Sequence, residues 1–306
     1  MAESVSLTRT QRRERRTAWM LVLPALGTIV VVTLFPLAWT FWESLHLHDL
    51  RMPWLGRPFV GLDHYAGLVS DPRFWGAFWH TALFTGVTVA AELILGLVLA
   101  LGLDRVRRGR GLARVLILLP WAVPTAVAAL IWRFMFEGKT GVANELLVTL
   151  GLLEEPLIWF VDPVLAWVPV MLGDVWKMTP FVALLLIAGL QNIPDELYEA
   201  ARIDGASPWQ RFREVTLPLL RPALLVALLF RTLDALRVFD LVYVLTGGGP
   251  GTATEPLSVF AFETLLQSLR FGYGSAISMT VFGAAFLIAL LFIRVLGQDG
   301  VEPEAS

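Results

Sequence analysis

The sequence has no cysteine and only four histidines, and each shortage excludes a class of chemistry. Without cysteine there can be no disulfide, thiolate metal site or cysteine nucleophile. The histidines are His46, His48, His64 and His80. None of them falls into HExxH or another recognisable metal-ligand spacing. No GxSxG nucleophile elbow is present. We therefore predict no catalytic residue and no metal site.

Charged side chains are also scarce. They make up 16% of the 306 residues, whereas a soluble domain carries about 25%. Hydrophobic residues make up 56% of the chain, and the mean hydropathy is +0.67. These values place the chain in a lipid bilayer. The net charge of −2 argues against a nucleic-acid partner, which would require a strongly basic face.

No phosphate-binding loop is present. Gly138, Lys139 and Thr140 imitate the end of the G-x-x-x-x-G-K-T motif, but Arg133 stands where the first glycine is required. The glycine-rich stretch Thr246–Gly251 lacks a strand before it and a helix after it, and is better interpreted as a turn. We therefore expect this chain to bind no cofactor. If it pumps, the ATP and magnesium must be bound by a partner.

What the sequence does contain is six apolar segments, each near or above the roughly 20 residues that cross a hydrocarbon core. They lie at about Ala18–Phe41, Phe78–Leu103, Leu112–Phe136, Val164–Leu190, Leu219–Leu245 and Ala276–Leu296. The first is too long for a signal-peptide core and no small-x-small cleavage site follows it, so we expect it to be retained. The predicted organisation is a tail at 1–17, one membrane domain at 18–296 and a second tail at 297–306.

The distribution of basic residues predicts the orientation. If the six spans alternate, one face of the membrane receives Arg9, Arg12, Arg13, Arg15, Arg16, Arg105, Arg107, Arg108, Arg110, Arg114, Arg202, Arg211, Arg213, Arg221 and Arg294. The opposite loops carry mainly Arg51, Arg57, Arg73, Lys139 and Arg270. The positive-inside rule makes the first face cytoplasmic. We expect a multi-pass protein of the cell membrane with both termini in the cytoplasm.

A polar segment, 194–218, lies between the fourth and fifth spans on the predicted cytoplasmic face. Pro194 suits the first position of a helix, and Gly205 suits the left-handed residue that ends one. Ser207 and Gln210 have the spacing of a capping box, which predicts a second short helix, Ser207–Val215. Helices this short need packing against something larger. An amphipathic linker lying on lipid headgroups is the alternative.

The segment resembles the EAA loop of the membrane subunits of binding-protein-dependent ABC importers. Glu199-Ala200-Ala201, Gly205, Val215, Leu217 and Pro218 stand at that family's spacing, with Val215 where isoleucine is usual. The stretches Asp174–Phe181, Ala227–Pro250 and Phe271–Ser278 resemble the carbohydrate branch of the MalF kind, and trehalose and maltose permeases in particular. The resemblance implies the six-span, all-α type I (MetI-like) importer fold with cytoplasmic coupling helices.

The resemblance also implies partners and sites. A second similar permease, two ATP-binding subunits and an external sugar-binding protein would complete the transporter. Coupling to an ATPase would use Glu199, Ala200, Ala201, Asp204, Gly205, Ala206, Leu217 and Pro218. The substrate path would include Thr125, Asp174, Lys177, Phe181, Asp234, Ala235 and Val238. The maltose permease has asparagine, glycine and tyrosine where this chain has Asp174, Met178 and Phe181, so its hydrogen bonds cannot be copied across.

Ionisable residues inside the spans are informative by themselves, because such groups normally face the bundle interior or a water-filled path. Asp174, Lys177 and Phe181 share one face of the fourth span, and Arg231 and Asp234 begin a stripe that continues to Arg237 and Asp240. Both faces could line a sugar path, so Arg231 joins the candidates. The alternative is that Asp174 pairs with Lys177, and Arg231 with Asp234, only to hold the bundle together. Glu92 is interpreted as a hydrogen-bonded packing partner.

Other functions remain open from the residues alone. The chain could carry glycerol-phosphate, monosaccharides or oligosaccharides, which share this scaffold. It could also be an ATP-independent carrier with the ionisable stripes as an ion route, or a membrane enzyme. Neither of the last two explains an EAA-type loop on the cytoplasmic side.

Overall fold

The computed structural model describes residues 9–106, 109–138 and 140–299. The α-helices in these residues are α1 (Arg9–Ile29), α2 (Phe35–Ser44), α3 (Asp63–Ser70), α4 (Pro72–Asp104), α5 (Arg110–Ala122), α6 (Thr125–Met135), α7 (Val142–Thr149), α8 (Trp167–Leu190), α9 (Asp195–Ile203), α10 (Pro208–Arg211), α11 (Leu217–Ala235), α12 (Asp240–Leu245), α13 (Leu257–Phe262) and α14 (Phe271–Asp299). A π-helical turn joins α1 to α2 and another joins α10 to α11. Pairing between extended segments is limited, in this described part, to two isolated bridges. The predicted all-α class is confirmed.

Helices long and apolar enough to cross a bilayer account for most of the chain. Five continuous ones are found in the described residues: Thr17–Ser44, Pro72–Asp104, Trp167–Leu190, Pro208–Ala235 and Phe271–Arg294. The pair Gly111–Ala122 and Thr125–Met135 forms a sixth, bent by 85°. Counted as one broken span, this pair gives the six spans that hydropathy predicts. The chain is a multi-pass membrane protein.

The third span differs from the expected continuous segment Leu112–Phe136, because it breaks at Pro124. Proline lacks the N–H that would continue the helix, and it forces the preceding residue out of the helical region. Val123 accordingly has a ψ of 130°, and Pro124 has a ψ of 135°. The break divides the span into α5 and α6.

The fifth span also differs from expectation, since it ends at Ala235 and not at Leu245. The chain turns through 236–239 before α12 begins. The hydroxyl of Ser258 donates to the carbonyl of Val238 and so satisfies one acceptor that the interrupted helix leaves free. No proline or glycine marks this end, which is why the apolar pattern runs through it.

The centre of the bundle is the packing of α4 on α8. The two helices run in the same direction, because Phe84 lies beside Trp167 near one end while Leu103 and Leu190 share a buried cluster at the other. A Cβ atom at Gly96 would lie 2.6 Å from Cγ1 of Val182, so the glycine permits this close approach. We call the end of the bundle at Leu103 and Leu190 the α9 end.

The segments predicted as tails lie partly outside the described residues. Of the predicted N-terminal tail, residues 9–17 already belong to α1, and of the C-terminal tail, residues 297–299 belong to α14. Arg107, Arg108 and Lys139, which contributed to the predicted orientation, also lie outside the described residues.

Candidate functional site

Most of the predicted substrate-path residues line one cavity. The cavity has a volume of about 230 Å³ and lies between the start of α6, the middle of α8 and the turn from α11 to α12. Its predicted lining residues are Thr125, Asp174, Lys177, Asp234, Ala235 and Val238. The rest of the wall is Met178, Arg237, Phe239, Asp240 and Leu241. Side chains from three separate stretches of the sequence thus meet around one space.

Arg231 lies behind this wall, at the centre of an ion cluster with Glu92, Asp174 and Asp234. Its Nε and Nη2 both donate to the carboxylate of Glu92, with 2.9 Å between Nη2 and Oε1. Nη2 also donates to Oδ2 of Asp174 at 2.9 Å, and Nη1 donates to Oδ2 of Asp234 at 2.6 Å. The cluster therefore ties α4, α8 and α11 together directly beside the cavity.

Burial makes this cluster energetically sensitive. Arg231 is 1% exposed and Glu92 is 0% exposed. A charge buried in this way needs its partner, and removing one member of a buried pair costs about 3–5 kcal/mol. Asp234 is half-buried, and its Oδ1 also accepts from the exposed Arg237 at 3.4 Å. Asp174 and Asp234 both line the cavity, and the Asp234 side chain is the more exposed of the two, at 43% against 12%.

The two pairing alternatives left open by the sequence have different outcomes. Arg231 and Asp234 do form an ion pair. Asp174 pairs with Arg231 and not with Lys177, and no ion pair within the described residues includes Lys177. The ammonium of Lys177 instead donates to the carbonyl oxygens of Val123 at 2.7 Å and Trp121 at 3.2 Å, at the break of the third span.

Phe181 does not belong to the cavity wall. Its ring stacks on Trp121 with 5.8 Å between the ring centroids and 22° between the planes. The residue lies one helical turn beyond Lys177 on the same face of α8, so both side chains contact the end of α5. The spacing that predicted a shared face was correct, but that face serves the broken span as well as the cavity.

The polar segment forms the predicted corner at the α9 end. Pro194 is the N-cap of α9 and not its first helical residue, so the helix begins one residue later than expected. Asp195 and Glu196 occupy the first turn. Gly205 has a φ of +78°. The N–H of Gly205 donates to Arg202 O at 3.1 Å, and that of Ala206 to Ala201 O at 2.9 Å. This is a Schellman motif, in which a left-handed glycine satisfies the last carbonyls of the helix.

The second predicted helix is present but is not separate. Ser207 and Gln210 form the predicted capping box in full. The helix that it starts continues through a π-helical turn, Phe212–Thr216, into α11, so that Pro208–Ala235 is one span. The prediction of a separate helix Ser207–Val215 that ends before the membrane was therefore wrong. Leu217 and Pro218 lie in this continuous helix, both exposed.

α9 rests on the bundle by one side only. The hydroxyls of Tyr198 and Thr216 lie 3.0 Å apart and connect α9 to the base of the fifth span. A cleft of about 740 Å³ separates α9 from the end of α4. Glu199, Ala200 and Asp204 are exposed, Ala201 and Ala206 are half-buried, and Ile203 is 86% exposed. α9 thus presents a carboxylate and an apolar side chain that no described part of the chain covers.

These features define a class: a six-span, all-α subunit with one broken span, a polar cavity between its spans and an uncovered helix at one end. The sequence profile of the binding-protein-dependent transport system inner membrane components matches residues 92–306. The chain belongs to this family. Membership supports a transport subunit of an ABC importer and not an enzyme, and the curated relatives support a sugar importer.

Two curated relatives match nearly the whole chain. The trehalose/maltose transport system permease protein MalF of Thermococcus litoralis is 45% identical over 92% of this chain and 94% of its own length. The trehalose transport system permease protein SugA of Mycobacterium tuberculosis is 40% identical over 97% and 95%.

A solved structure shows the same fold. It is that of a bacterial alginate ABC transporter in complex with an alginate pentasaccharide-bound periplasmic protein. One of its chains is 22% identical, covers 92% of this chain and 94% of its own length, and has a TM-score of 0.79. The predicted permease fold is confirmed.

Sequence reasoning missed several residues of the site. Glu92 was interpreted as a hydrogen-bonded packing partner, and it is buried and hydrogen-bonded, but its bidentate partner Arg231 was not identified. The requirement that a charge in a span be paired could have suggested an opposite charge in another span, but it could not have indicated which one. Leu241 and Phe239 join the wall only because the fifth span ends early.

Proposed function

We propose that this chain forms half of the translocation path of an ATP-driven importer for a disaccharide such as trehalose or maltose. The observation that carries the proposal is the polar cavity that the predicted path residues share. The relatives from Thermococcus and Mycobacterium, which are named as trehalose/maltose and trehalose permeases, support the choice of sugar.

The cavity suits a sugar chemically. Sugar hydroxyls can donate to Asp174 and Asp234, and they can accept from Lys177 and Arg237. Val238 and other apolar side chains of the wall can contact the C–H face of a pyranose ring. The volume of about 230 Å³ is below the roughly 300–1,000 Å³ of a typical ligand pocket, which agrees with a second permease supplying the opposite wall.

The exposed surface of α9 suits a different partner, an ATP-binding subunit. In the proposed complex, α9 lies in the cytoplasm and inserts into a groove of one ATPase, with Glu199 pairing with a basic residue there. Asp204, Gly205 and Ala206 form the corner that keeps α9 at a fixed angle to Leu217 and Pro218. When ATP and magnesium bring the two ATPases together, α9 moves with them and the spans rock between outward-open and inward-open states.

The proposed complex has two further components. A second homologous permease contributes the other half of the path, and a sugar-binding protein delivers the substrate from outside. The alginate-pentasaccharide-bound periplasmic protein seen with a transporter of the same fold supports a delivery protein of this kind.

Sugar-stimulated ATP hydrolysis by the reconstituted complex tests the proposal. The complex would be placed in lipid vesicles with its binding protein and given trehalose, maltose, glucose or glycerol 3-phosphate in turn. We expect trehalose or maltose to stimulate hydrolysis and uptake together. Stimulation by glycerol 3-phosphate alone would contradict the choice of substrate, and uptake without the ATPase subunits would contradict the coupling.

A further inference from the structure

The break of the third span leaves helix-end carbonyls inside the membrane. The Pro124 nitrogen carries no hydrogen and cannot donate to Pro120 O, and the 85° bend removes the regular partners of the residues around it. An unpaired carbonyl in the hydrocarbon region costs several kcal/mol. The N–H of Val123 turns back to Pro120 O at 3.3 Å and satisfies one of these acceptors.

Two further carbonyls at the break receive donors from α8. The ammonium of Lys177 reaches the carbonyl oxygens of both Trp121 and Val123, at 3.2 and 2.7 Å. A positive charge at this position also complements the negative end of the α5 dipole. The stack of Phe181 on Trp121 adds a second contact between the same two helices. Lys177 and Phe181 thus fix the end of α5 against α8.

The position of Thr125 depends on this contact. Thr125 is the first residue of α6 and lines the cavity, two residues after the carbonyl of Val123 that Lys177 holds. Only Pro124 lies between them, and its φ is fixed by the ring. The direction in which α6 leaves the break therefore follows from where the ammonium holds the end of α5.

We propose that Lys177 is a positioning residue whose ammonium sets the angle between α5 and α6 and thereby places Thr125 at the cavity. A lysine ammonium has three N–H groups, and two of them hold the carbonyls. The third has no acceptor among the described residues, and Lys177 lines the cavity, so a sugar hydroxyl bound there can accept it. A single group then connects substrate binding to the geometry of the broken span. This last step rests on the proposed function, whereas the helix angle does not.

The test is a distance measurement across the break. Val115 on α5 and Phe134 on α6 are both exposed, and the chain has no cysteine of its own. The double variant Val115→Cys, Phe134→Cys can therefore carry two spin labels in a transporter assembled from cysteine-free partner subunits. Phe134 lies about 14 Å along α6 from the break, so a 20° change in angle moves its label by roughly 5 Å. The distance is measured in lipid without sugar or ATP, so it does not depend on the transport activity.

In this background Lys177→Met removes the donors and keeps the length of the side chain. We expect it to shift or broaden the interlabel distance, by up to that amount, and to lower the maximal uptake rate. Lys177→Arg, which keeps the charge and several donors, should largely restore both. Arg237→Met is the matched control, because it removes a cation from the same cavity without touching the break, and it should leave the distance unchanged.

Two results would overturn the proposal. The first is an unchanged distance in Lys177→Met with only a higher KM, which is what a simple sugar contact predicts. The second is an equal shift in Arg237→Met, which would point to a general charge effect. Should Lys177→Met not assemble, Lys177→Gln serves instead, because its shorter amide does not reach both carbonyls and the same shift is expected.

Discussion

The guanidinium of Arg231 and the carboxylate of Glu92 form a bidentate ion pair between α11 and α4, across 139 residues of sequence. The pair lies in the interior of the bundle and shares its arginine with Asp174 and Asp234. Three spans are therefore fixed to one another at the depth of the proposed sugar cavity. A change in this cluster should affect the stability of the bundle and the shape of the cavity together.

Glu92→Gln tests the structural importance of the pair. The substitution keeps the shape of the side chain but removes its charge, so the buried Arg231 loses its strongest partner. We expect the free energy of unfolding to fall by about 3 kcal/mol, measured as thermal or denaturant stability of the purified complex. Arg237→Gln changes an exposed partner of Asp234 and should alter stability by less than about 1 kcal/mol. Equal stability of Glu92→Gln and the parent would show that the pair contributes little.

The sequence predicted the helical elements better than the contacts between them. Hydropathy located all six spans because each must be apolar over the thickness of the bilayer, wherever its neighbours lie. It identified Glu92, Asp174 and Arg231 as charges within spans. The sequence could not show that Glu92 pairs with Arg231, because no local spacing relates residues on different helices. It indicated Lys177 as a partner of Asp174 because the two are close along one helix.

Helix breaks illustrate the same limit. Pro24, Pro180 and Pro222 all lie inside helices that continue through them, whereas Pro124 ends one. The difference is that Lys177 satisfies carbonyls freed near Pro124, and this contact comes from another span. Local signals succeeded where local energetics decide, as with the left-handed Gly205 and the capping box of Ser207 and Gln210.

Asp234→Asn should weaken sugar binding while the complex stays assembled. The amide keeps the shape of the carboxylate but loses the charge that accepts hydrogen bonds most strongly. A charge-assisted bond contributes about 1.5–3 kcal/mol, so the KM for sugar uptake should rise about tenfold or more. Asp162→Asn is the control, because Asp162 is exposed, does not line the cavity and caps backbone N–H groups, a role that asparagine can also fill. Dissociation of the subunits in Asp234→Asn would show that its ion pair is structural only.

Gly205→Ala tests the corner of the polar segment. A Cβ atom there meets nothing within 4 Å, so the effect is confined to the backbone, where the left-handed conformation costs about 1–2 kcal/mol for a residue with a side chain. We expect lower sugar-stimulated ATP hydrolysis, because α9 would no longer keep a fixed angle to the fifth span, and normal membrane insertion. Gly151→Ala places similar strain at another open site, because Gly151 ends α7 in the same Schellman motif with a φ of +70°. An equal loss of coupling in Gly151→Ala would mean that strain anywhere in the chain has this effect.

Glu199→Gln tests the docking of α9 directly. Glu199 is exposed, so the substitution should leave the stability of the isolated complex within about 0.5 kcal/mol of the parent. At an interface, losing one partner of a charge pair that becomes buried on docking costs about 2–5 kcal/mol. The dissociation constant of the ATPase subunits should therefore rise by at least about tenfold. Sugar-stimulated ATP hydrolysis should fall as the ATPase subunits are lost. Both are measurable by titrating ATPase subunits onto the permease pair in lipid discs.

Glu214→Gln is the matched control, an exposed carboxylate of the same polar segment on the following helix. Equal affinity of Glu199→Gln and Glu214→Gln for the ATPase would remove Glu199 from the proposed contact, since the only difference between the two variants is which helix loses its charge.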